Sequence, residues 1–214
     1  MNRLFLVAVL CVLMLSCTKT PEDKADALIR NEIKKFLLYP DTYDPAETKV
    51  DSAFTPFDDP NCYNVILKIS KLIENTNEYA QNLKLARNSM NIWSVPHQSA
   101  YARDKYISAE AEYNTNIKRI ENATKQMKKL GDELNDISKN GKQFIGFKAI
   151  HRYRTKDNAG QIVFGEMEFL FDTNIDKIIE SYNTSDEDYI KVKATFNWFL
   201  ENAGKQIDNE FDLD

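Results

Sequence analysis

The chain predicts an α+β fold: a small antiparallel sheet with flanking helices and an inserted long antiparallel helical (coiled-coil) hairpin. Three observations carry that expectation. Two long stretches space their apolar residues alternately by four and three. Two neighbouring stretches alternate apolar and polar residues on either side of the turn-forming run KDNAG. Amphipathic segments with helix-start signals stand near both ends.

The first helix opens at Pro21. Thr20 is the N-cap, Pro21 suits the first helical position, and Glu22 and Asp23 face the positive helix end. Ala25, Leu28, Ile29, Ile33, Phe36 and Leu37 fall on one face, and Pro40 stops the helix. Pro40, Pro45, Pro56 and Pro60 punctuate the next segment. Between them Glu47 to Phe54 reads as a strand, with Val50, Ser52 and Phe54 on one side. Prolines on both flanks put it at a sheet edge.

The periodicity then changes. From Cys62, the positions Val65, Ile69, Leu72, Thr76, Tyr79, Leu83, Ala86 and Met90 form a heptad seam. After Pro96 the pattern resumes through Ala102, Tyr106, Ala109, Tyr113, Asn116, Ile120, Ala123, Met127, Leu130, Leu134 and Ile137. Two seams joined by a short turn make an antiparallel hairpin. Its helices are expected at about 30 and 40 residues, or roughly 45 and 60 Å. Ala, Thr, Asn and Tyr in the seam, and Gly131 beside it, make it weaker than a solid Leu/Ile zipper.

Gly141 supplies the helix terminus. In FIGFKAIHRYR, Ile145, Phe147, Ala149, His151 and Tyr153 share one face. In QIVFGEMEFLF, Val163, Gly165, Met167, Phe169 and Phe171 share another. A turn centred near Asn158 sets Lys148 opposite Glu168 and Ile150 opposite Glu166, leaving one polar and one core face. Asp172 to Asn174 is a turn, and Ile175 to Ser181 a shorter strand, with helical spacing as its competitor. Ser185 with Asp188 resembles a capping box. It opens a final helix striped by Tyr189, Val192, Phe196, Phe199 and Ala203, and Gly204 ends it. The simplest packing lays the first and last helices on the apolar face of the sheet.

The residues before the first helix address a different question. Arg3 precedes an apolar run from Leu4 to Leu15, too short for a bilayer span of roughly 20 residues and of the length of a secretory h-region. Met14, Leu15 and Ser16 lead directly into Cys17. This resembles the lipobox of bacterial lipoproteins. The resemblance implies that residues 1–16 are a cleaved signal peptide and that Cys17 is the lipid-attachment residue, acylated on its thiol and new amino group. It implies an outer-membrane lipoprotein on the periplasmic or surface face, since Thr18 rather than Asp follows the cysteine. One acyl chain holds only marginally, at about 0.8 kcal/mol per buried CH₂, whereas several hold stably. Residues 17–214 then form a single mature domain with the hairpin inserted at about 61–140. Only Thr18 to Thr20 separate the lipid from the first helix, a tether on the order of 10 Å. The stretches YPDTYDPAETKVDSAFTPFDDP and FIGFKAIHRYRTKDNAG also look like parts of uncharacterised Gram-negative lipoproteins, a likeness that implies no activity and no site residues.

Composition narrows the function. Net charge is −5 with both signs interspersed, so no basic field points to nucleic acid. Of three cysteines, Cys11 leaves with the signal and Cys17 is lipidated, so Cys62 has no internal disulfide partner. Zinc ligation needs three or four converging ligands, and no spacing here provides them. The run Asp172, Asn174, Asp176 starts like a calcium loop, but Lys177 replaces the required glycine and Asn183 the closing glutamate. No phosphate-binding or nucleophile-elbow motif occurs, and no metal or cofactor is expected. The two histidines are His97, in the hairpin turn, and His151, read as a structural core residue.

What remains is the hairpin end, NIWSVPHQSAY. Ile92, Trp93 and Tyr101 there suit contact with a protein or an envelope polymer, unless Trp93 folds back over the seam. The sequence therefore favours a non-enzymatic interaction module. The competing readings are an envelope hydrolase using His151, Tyr153, Arg152, Glu166 and Glu168, and a structural oligomer pairing through the seam near Leu130 to Ile137.

Overall fold

The computed structural model describes residues 20–94 and 99–202. The element order is α1 (Pro21–Phe36), a 3-10 turn (Pro40–Thr42), β1 (Asp44–Phe54), α2 (Pro60–Trp93), α3 (Ala100–Lys139), β2 (Phe144–Lys156), β3 (Ile162–Phe171), β4 (Ile178–Asn183) and α4 (Glu187–Asn202). The fold is α+β, with an antiparallel four-stranded sheet in the order β1-β2-β3-β4 and two long helices packed on each other. Contacts divide it into two compact units. Residues 1–58 with 143–189 form one, and residues 59–142 with 190–214 the other.

In the first unit, α1 starts as its sequence requires. The Thr20 hydroxyl accepts the Asp23 N–H, and the Asp23 carboxylate accepts the Thr20 N–H. This reciprocal box satisfies two of the orphan donors of the first turn. Ala25, Ile29 and Ile33 are buried against Ala149, Phe169, Phe171 and Ile175. Phe36 belongs to the predicted stripe but is 63% exposed, because the helix ends there and the chain turns away at Leu37.

The edge position of β1 is as expected, though the strand begins at Asp44 and includes Pro45. An edge strand tolerates a missing N–H, and the register shifts between Pro45 and Glu47. The β2–β3 pairing corrects the expected register. Ile150 faces Glu168, Arg152 faces Glu166 and Lys148 faces Leu170. The five residues Asp157 to Gln161 form the loop, so its centre lies one residue later than assumed. The Asp157 carboxylate holds it by accepting the N–H groups of Ala159 and Gln161. A slip of two keeps every side chain on its face, so the expected core face of β2 and β3 survives.

The opposite face is less open than expected. Glu168 and Leu170 point there, and both are buried. Tyr189, in the first turn of α4, donates its hydroxyl proton to Glu168 over 2.6 Å. That corrects the expectation that the last helix starts on the same face as α1. Beyond them β3 loses cover. β4 pairs only with Met167–Phe171, so among the described residues Ile162–Gly165 carries no strand on that side. Ile162 and Phe164 are 65% and 80% exposed.

The third hairpin strand starts at Ile178, later than predicted. Ile175 sits in the preceding turn at φ 55°, buried in the core. The Asp172 carboxylate accepts the N–H groups of Asp176 and Lys177, fixing that turn and keeping its own pKa below the ordinary value. The last helix is capped by Asp186, which accepts the Asp188 N–H, and not by Ser185. Val192 and Phe196 are buried as predicted, whereas the Phe199 side chain, Ala203 and Gly204 lie outside the described residues.

In the second unit, α2 has 34 residues and α3 has 40, or about 51 and 60 Å of helix. Every predicted seam position from Val65 to Met90 and from Ala102 to Ile137 is buried or half-buried. Asp59 caps α2 and Ser99 caps α3. Asn140 and then Gly141, at φ 67°, terminate α3. The seam keeps one buried polar layer: Asn116 is 2% exposed, and its Nδ2 donates to the Glu112 carbonyl. Lys191 of α4 pairs with Glu74 of α2.

Candidate functional site

Two places carry chemistry worth weighing: the end of the helical hairpin and the cluster around His151. The lipid-attachment residue Cys17 and the turn residue His97 lie outside the described residues.

At the hairpin end, α2 closes at Trp93 and the Ser94 hydroxyl donates to the Asn91 carbonyl. Trp93 continues the seam spacing three residues after Met90 and is half-buried. Its ring meets Tyr101 edge-on, with centroids 5.8 Å apart and planes at 86°. The two outcomes expected for Trp93 are thus divided between residues. The indole packs across the hairpin, while Ile92 and Tyr101 remain 64% and 61% exposed. The Lys105 ammonium lies 5.4 Å from the Tyr101 ring centroid, a cation–π contact on the same helix. Leu85 and Ile107, at 64% and 54% exposure, are further apolar side chains left uncovered on the hairpin. They went unremarked in the sequence because they interrupt no motif, and only their distance from the seam spacing marks them.

The second place is a chain of hydrogen bonds through the first unit. His151 is 1% exposed, and both ring nitrogens are engaged. Nδ1 lies 2.8 Å from the Thr48 hydroxyl and Nε2 lies 2.9 Å from the Tyr43 hydroxyl. The Thr48 hydroxyl also contacts the Asp26 carboxylate. Proton counting fixes the direction. A carboxylate only accepts, so Thr48 gives its one proton to Asp26. Thr48 then accepts from His151 Nδ1–H, Nε2 carries the lone pair, and Tyr43 donates to it. A neutral imidazole satisfies every partner, and an imidazolium does not.

The titration behaviour agrees with that geometry. Burial lowers the His151 pKa, and the Asp26 charge opposes it less strongly. Burial pushes the Tyr43 phenol up to about 12, with Arg30 working against it and Asp26 and Tyr153 with it. Tyr153 stacks on His151 at 5.9 Å with 16° between planes. The network ties α1, the segment after the 3-10 turn, β1 and β2 together through one imidazole. Nothing in the sequence signalled it, because Tyr43 and Thr48 stand 108 and 103 residues from His151.

The five residues considered for hydrolysis are split by the sheet. His151 and Tyr153 share the face under α1, whereas Arg152, Glu166 and Glu168 occupy the other. Arg152 Nε donates to Glu166 over 2.5 Å, which holds the Glu166 carboxyl below the usual carboxylate range. Glu168 is taken by Tyr189. Cys62 is buried, and burial pushes its thiol up to about 11, away from the reactive thiolate. Among the described residues, no group of three or more His, Cys, Asp or Glu side chains is placed to hold a metal ion. No described helix is long and apolar enough to cross a membrane.

Comparison with protein-family profiles, curated proteins and solved structures finds no match to this chain.

Proposed function

We propose that the chain is a lipid-anchored envelope lipoprotein that works as a non-enzymatic binding module through its helical hairpin. The observation that carries the reading is the hairpin end. Two helices of 34 and 40 residues bring Ile92 and Tyr101, both mostly exposed, beside the Trp93 ring. Aromatic and aliphatic groups held on a packed helical pair lose little side-chain freedom on contact, which favours binding there over binding by a loop. The lipid anchor rests on the run Leu4–Leu15 and on Cys17. It would hold the first unit at the outer membrane, where a protein or envelope polymer meets the hairpin. Acid–base catalysis by His151 finds no support in its geometry, since both nitrogens are occupied and the ring is buried.

Two measurements test the proposal. An alkyne-bearing palmitate analogue fed to cells should label the wild-type chain and not Cys17→Ser. A photo-crosslinking residue at Ile92 or Tyr101 should give a discrete envelope adduct that the same residue at the exposed mid-hairpin position Glu121 does not give. Absent labelling ends the anchor. Identical adducts from all three positions, or none, end the role of the hairpin end.

A further inference from the structure

We infer that one long face of the hairpin is an open seat for a third helix, and that the helix it fits is an acidic amphipathic one from a partner protein. The inference rests on the binding role proposed above and names the class of partner.

The face is defined by a hollow of about 490 Å³ between α2 and α3. Leu72 and Leu130 form its floor, Lys68, Lys71 and Lys129 its rim, with Glu133 the one acidic group among its lining residues. Heptad spacing carries this face along the hairpin. Residues seven apart on a helix packed in a coiled coil keep the same aspect. On α2 the line through Lys71 continues to Glu78, Leu85 and Ile92. On α3 the line through Lys129 runs back through Asn122, Thr115 and Ser108 to Tyr101. Lys71 and Lys129 border the same hollow, so Leu85, Ile92 and Tyr101 border the same face. All three are more than 60% exposed. Exposed apolar groups along a heptad line are what a two-helix seam leaves uncovered when a third helix is missing.

The charge pattern selects the occupant. Ile92 stands 21 residues beyond Lys71, a span of about 31 Å, the length of a helix of roughly 20 residues. Its end over the hollow meets Lys68 and Lys129, and its other end meets Leu85, Ile92 and Tyr101. Carboxylates therefore belong over Lys68 and Lys129, and apolar side chains over Leu85, Ile92 and Tyr101. A second copy of this chain fits poorly. Aligned alike, the two faces set lysines against lysines; aligned head to tail, they set lysines against Leu85 and Ile92. An acidic amphipathic helix meets both halves of the face.

The test uses the full mature chain and a defined probe. The probe is a fluorescent 21-residue peptide with Leu at heptad positions a and d and Glu at e and g, beside a control with Lys at e and g. Fluorescence anisotropy should show saturable binding of the Glu peptide and none of the Lys peptide. The double variant Lys68→Glu, Lys129→Glu changes only exposed side chains, so its circular dichroism should match wild type. It should weaken binding about tenfold, as should raising salt from about 0.05 to about 0.5 M. Equal binding of the two peptides, or binding unchanged in the double variant, overturns the inference. So does light scattering that shows the chain pairing with itself through this face. A discrete envelope adduct from Ile92 or Tyr101 with no preference for the Glu peptide leaves the binding role standing and removes only the acidic helix.

Discussion

Gly165 lies beneath the ring of Tyr153, its cross-strand neighbour on β2. A methyl group at Gly165 would overlap Cζ, Oη and Cε1 of that ring. The ring is not free to swing aside, because it stacks on His151 and packs against Tyr43. Gly165→Ala should therefore destabilise the chain by about 1–3 kcal/mol, the usual cost of overpacking. In a Tyr153→Ala background the same change should cost little, since the space is then vacant. Urea unfolding of the two singles and the double measures the coupling directly.

Stability should fall as the solution is acidified through the histidine range. Burial lowers the folded-state pKa of His151 below its ordinary value of about 6.5. From about pH 6.5 downward the unfolded chain binds a proton that the folded chain resists, until the folded pKa is reached. The His151 contribution is thus full above pH 6.5 and is lost below it. Urea midpoints measured between about pH 8 and pH 5 should slope downward in the wild type. His151→Gln should be less stable throughout and lose the part of that slope due to the imidazole.

Asn116 places a carboxamide oxygen in the seam with no partner among the described residues. Replacing it by Leu should stabilise the chain by about 1–3 kcal/mol, the cost of an unsatisfied buried group. A polar seam residue also fixes helix register. Asn116→Leu should therefore broaden the association states seen by sedimentation while raising the urea midpoint. A variant that is less stable than wild type contradicts the account.

Ile175 is a buried β-branched residue at φ 55°. The left-handed region costs an L-residue roughly 1–2 kcal/mol. Ile175→Ala loses the core contacts and keeps the strain, and should cost about 2–5 kcal/mol. Glycine at an ordinary position is worse than alanine by about 0.5–1 kcal/mol. At residue 175 the order should be equal or reversed, and thermal unfolding of the two variants decides it.

The parts of the fold that were legible in the sequence are those whose burial is written in local spacing. The seam from Val65 to Met90 and from Ala102 to Ile137 needs only a count of fours and threes, and each of its positions is buried or half-buried. The faces of β2 and β3 were equally legible, because period two survives a slip of two residues. The register itself was not, since it depends on the five-residue loop that Asp157 closes. The Ser185 cap failed for a similar reason. Ser185 and Asp186 both carry cap chemistry, and only the backbone path decides between them. For the candidate site, the sequence supplied Ile92, Trp93 and Tyr101 but not the face running to Lys71 and Lys129. That face follows from pairing two helices so that Lys71 meets Lys129, 58 residues on, a distance no local window contains. The Asp26–Thr48–His151–Tyr43 chain was invisible on the same ground.

The bare stretch of β3 has a consequence for anyone handling the protein. Ile162, Val163 and Phe164 are three apolar residues in succession on a sheet margin that no strand covers among the described residues. Such margins recruit one another and seed fibrous aggregates. Lys156, directly across from Ile162 on β2, sets a positive charge beside that stretch, and such charges oppose this association. Neutralising Lys156 would trade a harmless-looking surface change for a sample that clouds on concentration.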